Sequence, residues 1–163
     1  MQRFFETDDS WTLALQRWIL GGVLFAHGAQ KLLGWFGGYG FTATMGYFVG
    51  TLHIPAPMAF LVILAESFGA IGLVLGLATR LGALGAIAVM TGAIFITHLP
   101  NGFYMNWSGG QKGEGFEYHL LALALAVPLL VKGGGRWALD GWLARWLSQL
   151  EPAVPHDQTQ MAP

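Results

Sequence analysis

The chain of 163 residues has no cysteine. Disulfides, thiolate metal sites, CxxC redox pairs and iron–sulfur ligation are excluded together. Any redox role must use a bound cofactor, a metal on histidine or carboxylate, or a partner's chemistry. Charge is nearly as scarce: 10% of residues are Asp, Glu, Lys or Arg, against about a quarter in ordinary soluble domains. The net charge of −1 leaves no basic footprint for nucleic acid. The opening MQRFFETDDSW is acidic and has no small-residue cleavage site, so no removable signal peptide is expected.

What the chain has is apolar length. It is 54% hydrophobic, with 24 glycines and seven tryptophans, which suits closely packed transmembrane helices with aromatic anchors. The length allows one domain. A polar lead-in at 1–10 offers Asp8, Asp9 and Ser10 as N-cap oxygens. Four spans are expected, at about 11–33, 57–79, 81–97 and 116–131. Gln16 and Arg17 lie near the start of the first and are expected to snorkel to the interface. The glycine- and aromatic-rich segment 35–57 reads as interfacial, with a short helix over 42–49. Arg80 marks a tight turn that makes spans two and three a hairpin, with Gly69, Gly72 and Gly76 on one side and Gly82, Gly85 and Gly92 on the other allowing close approach. Trp142, Leu143, Trp146, Leu147 and Leu150 recur at helical spacing, so 136–150 is expected to lie on the membrane as an amphipathic helix. The tail 151–163 is expected to be disordered. The fold class is therefore all-α integral membrane, a four-transmembrane-helix bundle with a C-terminal interfacial helix.

Orientation follows from Lys and Arg near the span ends. Arg3, Arg17, Arg80, Lys132, Arg136 and Arg145 fall on one side, and Lys31 and Lys112 on the other. Both termini are then cytoplasmic. Under that assignment His27, Lys31, Glu66, His98, Asn101, Glu117 and His119 all lie toward the outer half, and the inner half has almost no polar groups. Glu66 is the central case, because an ionisable group within an apolar span needs a partner or a watery cavity. His27, Gln30 and Lys31 share a face of the first span. Glu117 and His119 are two apart and should not share one site.

Each candidate has a plainer reading beside the functional one. Glu66 is either a packing residue paired with Lys31 or a proton-handling group in an outward-facing pocket. His27 alone reads as a packing histidine, and His98 with Asn101 could simply cap the third span. Lys112 and Glu114 read as solvated loop charges. A His/Glu metal site could draw on His27, His98 and His119, but no HExxH or ExxH spacing supports one, so no metal ligand is assigned. Haem ligation by His27 with His98 or His119 ranks lower still. His53 and His156 receive no role.

The segments FAHGAQKLLGWFGGYGF at 25–41, AESFGAIGLVLGLATRLGA at 65–83, and HLPNGFYMNW followed by GEGFEYHLLALALA resemble the DoxX family of bacterial and archaeal membrane proteins. The resemblance covers about 14–135 and implies a four-helix protein of the prokaryotic cytoplasmic (inner) membrane. The family takes its name from a small subunit associated with an archaeal quinol oxidase and thiosulfate:quinone oxidoreductase, and some relatives are linked to thiol and oxidative-stress systems. It carries no catalytic residue set onto this chain. Position and chemistry nominate Glu66, His27, Lys31 and Glu117 for proton and redox work, and His27, Lys31, Glu66, His98, Asn101 and His119 for holding a quinone. The reading that results is a subunit of a quinone-linked redox system, with a protein partner and membrane lipid around it. The alternatives are a non-enzymatic scaffold for such a complex and, more weakly, a small-solute or proton transporter.

Overall fold

Ser10 starts the first long helix. Its backbone is extended and its Oγ accepts from the Leu13 amide at 3.5 Å, the N-cap arrangement. Helix α1 runs Trp11–Leu33, and Gly34 closes it in the left-handed region at φ 75°. The structure, a computed structural model, describes residues 2–150 and is all-helical over them. The tail expected to be disordered at 151–163 lies outside the described residues. After a tight turn at Trp35–Gly37 comes α2, Gly40–Gly50. Of the four spans expected, two are long and apolar enough to cross a membrane among the described residues: helices α3, Ala56–Leu75, and α4, Thr79–Asn101. Helix α5 is Glu117–Lys132, and α6 is Leu139–Leu150.

The four long helices α1, α3, α4 and α5 pack around one apolar core that includes Leu20, Leu24, Leu73, Met90 and Leu129. Small residues line the close contacts: Gly69 opposes Gly82, and Gly85 opposes Ala65, so backbones approach where larger side chains would hold them apart. Gly92, which the hairpin reading also placed in this contact, faces open space. Many bulky side chains point the other way. Phe68, Leu81, Phe95 and Leu121 are each more than half exposed, the reverse of a water-soluble bundle.

The end of the bundle at the α3–α4 turn corrects three expectations. The hairpin turn falls at Gly76–Ala78, with Gly76 and Ala78 at φ 68° and 49°, and Arg80 is already inside α4. Arg17 does not snorkel: it is 1% exposed. Its Nε donates to Gly134 O at 2.8 Å, its Nη2 to Arg136 O at 3.1 Å, and its Nη1 to Leu73 O at 3.3 Å and to Val74 O. Nor is the inner half free of polar groups. Asp140 is buried and accepts from the Ala78 and Thr79 amides at 2.6 and 2.8 Å. The cause is local: a three-residue turn leaves the last carbonyls of α3 and the first amides of α4 unpaired, and buried backbone groups need partners. Arg17 and Asp140 supply them. Arg80 does the same for α5, donating to Leu130 O and Val131 O at 2.9 and 2.7 Å.

Candidate functional site

The site begins with a missing side chain. A Cβ on Gly28 would run into the Glu66 carbonyl, so α1 and α3 meet there main chain to main chain. Three residues on, Lys31 returns to the same side of α1, and its Nζ lies 2.5 Å from Glu66 Oε2. Glu66 sits in a π-turn over Ala65–Gly69 within α3. Such a turn holds one extra residue and changes which side chains face inward. The Glu66 side chain is 7% exposed and that of Lys31 is 24% exposed. Oε2 accepts no hydrogen bond of proper alignment among the described residues, so the ammonium balances its charge by proximity. The carboxylate is sealed; the cation reaches outward.

Lys31 also forms part of the wall of a groove of about 630 Å³, together with Gln30, Tyr39, Thr44, Tyr47 and Phe48. Gln30 Nε2 donates to Phe36 O at 3.2 Å and ties the turn after α1 to the helix. Gly38 lies so close to the Gln30 backbone that no Cβ would fit. The groove therefore has a fixed floor, aromatic sides and one cation, whose counter-charge lies beneath it.

A second cluster forms where α4 meets α5. The last part of α4 is another π-turn, Ile94–His98; Pro100 has no amide hydrogen to bond the Ile96 carbonyl in the α pattern. The His98 and His119 rings lie 4.2 Å apart, centroid to centroid. His98 Nδ1 donates to Glu114 O at 2.8 Å; a carbonyl only accepts, so Nδ1 carries the proton and Nε2 keeps its lone pair. Asn101 Nδ2 donates to the same carbonyl at 3.0 Å and to Thr97 O at 3.4 Å. His119 is buried, and its Nδ1 makes no well-aligned hydrogen bond among the described residues, with the Phe116 backbone as its near neighbour.

The remaining candidates divide between the clusters. His27 is exposed on α1 with its ring 6.3 Å from that of Tyr118, which lies 5.6 Å from His119. His27 is within electrostatic reach of Lys31 and Glu66. Glu117 turns to the loop after α4, where its Oε1 accepts from Trp107 Nε1 at 3.2 Å. It does not share a site with His119, as their spacing requires. Glu114 is exposed in its loop, as expected, and is also tied to the loop backbone. Its Oε2 accepts from the Asn106 amide at 2.6 Å, because a glycine-rich loop leaves amides that only a side chain can satisfy. Among the described residues, no three His, Asp or Glu side chains gather as metal ligands do. Sequence reasoning missed the groove, both π-turns and the Arg17–Asp140 end; only Pro100 and the inner-side arginine gave any signal of them.

Comparison with known proteins adds one finding. The DoxX family model matches residues 12–99, more than half of the chain. No curated protein and no solved structure matches it.

Proposed function

Since the chain belongs to the DoxX family, whose members are membrane proteins, we propose that it is an integral subunit of a quinone-linked redox system and works with a protein partner. In this reading α1, α3, α4 and α5 cross the prokaryotic cytoplasmic (inner) membrane with both termini cytoplasmic. The apolar exterior of these helices supports a lipid environment. The excess of Lys and Arg at the inner ends supports the orientation. Helix α6 lies along the inner surface, with Trp142 and Trp146 exposed on it.

The observation that carries the reading is the double placement of Lys31, on the groove wall and against buried Glu66. An ammonium has three donors, and Glu66 holds it from one side only. In this reading a flat ring with carbonyl oxygens lies in the groove lined by Tyr39, Tyr47 and Phe48, and Lys31 donates to one oxygen. A quinone, when bound, supplies a two-electron, two-proton couple. In this reading the residues orient the head group, keep a positive charge beside its oxygen, and hold a carboxylate against that cation. Glu66 without Lys31 would be an uncompensated buried charge, so the carboxylate fixes where the ammonium stands on the groove wall.

The test is lipid-extract mass spectrometry with an absorption spectrum and metal analysis on protein purified in mild detergent. Co-purified quinone in wild type, lost in Glu66→Gln and Lys31→Met variants that still fold, is the expected result. A preparation with no quinone, metal or haem overturns the reading in favour of a scaffold.

A further inference from the structure

The His98–His119 pair lies outside the groove and is left unused by the quinone reading. It has four features that a packing contact does not need. The rings are 4.2 Å apart. His98 is half-buried and fixed from above by the Glu114 carbonyl, which leaves its Nε2 lone pair open. His119 is buried, and its Nδ1 has no well-aligned hydrogen bond among the described residues beyond the nearby Phe116 backbone. Two further groups lie beyond the pair: Tyr118 from α5, 5.6 Å from His119, and His27 from α1, 6.3 Å from Tyr118 and within electrostatic reach of Lys31 and Glu66.

We infer that His98 and His119 form a one-proton relay that carries protons between the loop after α4 and the buried ring of His119. Two imidazolium rings at this separation repel strongly, so the pair carries one proton at a time. A proton arriving from the loop binds His98 Nε2. It passes to the unprotonated ring nitrogen of neutral His119 and returns His98 to its neutral form; the reverse order carries a proton out. Charge and protons balance within the pair, and no electrons move. The proton transfer between the rings does not rest on the quinone reading.

The experiment uses the full chain with ¹⁵N-labelled histidine in lipid nanodiscs. It measures how fast the ring N–H of His119 exchanges with water, with no quinone added. If His98 is the route, His98→Gln slows exchange at His119 roughly tenfold, because the proton then waits for a local opening. Asn101→Ala releases the same Glu114 carbonyl but keeps the imidazole, so exchange stays at the wild-type rate or rises. A His98→Gln rate equal to wild type overturns the relay. So does a faster rate in both variants, which makes His98 only a cover. Quinone binding is scored separately, so a failed relay with bound quinone, or a working relay without it, identifies which claim is wrong.

Discussion

Glu66 and Lys31 decide each other's state. A buried carboxylate is tolerated when a cation stands against it, and removing one partner costs more than removing both. Lys31→Met is therefore expected to lower stability by about 3 kcal/mol, and Lys31→Met with Glu66→Gln by less than the single change. Thermal unfolding in detergent checks this, and a double variant worse than the single would refute the pairing. At the inner end Arg17→Met strands the carbonyls of Leu73, Val74, Gly134 and Arg136. A loss on the order of 3 kcal/mol is expected there, since each buried unsatisfied group costs about 1–3 kcal/mol. Glu66 was legible because one carboxylate in an apolar run demands an explanation, and Lys31 because the i,i+4 face pointed to it. Arg17 was misread, because a basic residue near a helix end has two solutions, and only the three-dimensional position of the Gly76–Ala78 turn selects the buried one.

Helices were legible where punctuation is strong. Ser10 and Gly34 bracket α1, and Pro55 and Pro57 open α3. The π-turns at Ala65–Gly69 and Ile94–His98 were not, since one extra residue per turn leaves the hydrophobic pattern nearly unchanged. Gly28 makes the sharpest element-level claim. Gly28→Ala puts a methyl into the Glu66 backbone, pushes α1 from α3 and should cost about 1–3 kcal/mol or more as overpacking. Gly92→Ala meets open space within a helix and is expected to be neutral or to stabilise by up to about 1 kcal/mol. Paired melting curves of the two variants check the contrast, and equal effects would contradict the close α1–α3 contact.

At the scale of the whole molecule the lack of cysteine, which first narrowed the chemistry, becomes a tool. Single cysteines can be introduced at Ser108 in the outer loop and at Ser148 in α6, both exposed. With both termini cytoplasmic, a membrane-impermeant maleimide labels Ser108→Cys in intact cells and Ser148→Cys only after lysis. The opposite pattern inverts the topology. The all-helical class could be read from composition alone, and the groove could not. It depends on how the 34–50 segment folds back beside Lys31, which is a matter of chain geometry around Gly34 and Gly38 rather than of periodicity.

The central claim is that Lys31, backed by Glu66, is the polar contact of a quinone head group. It is tested most directly by titrating a short-chain quinone analogue against nanodisc-reconstituted wild type and Lys31→Met/Glu66→Gln, a double variant that keeps the buried site uncharged. Loss of about 1.4 kcal/mol or more of binding, roughly tenfold in Kd, is the expected result. Equal affinity for the two proteins, or no saturable binding to either, would contradict it.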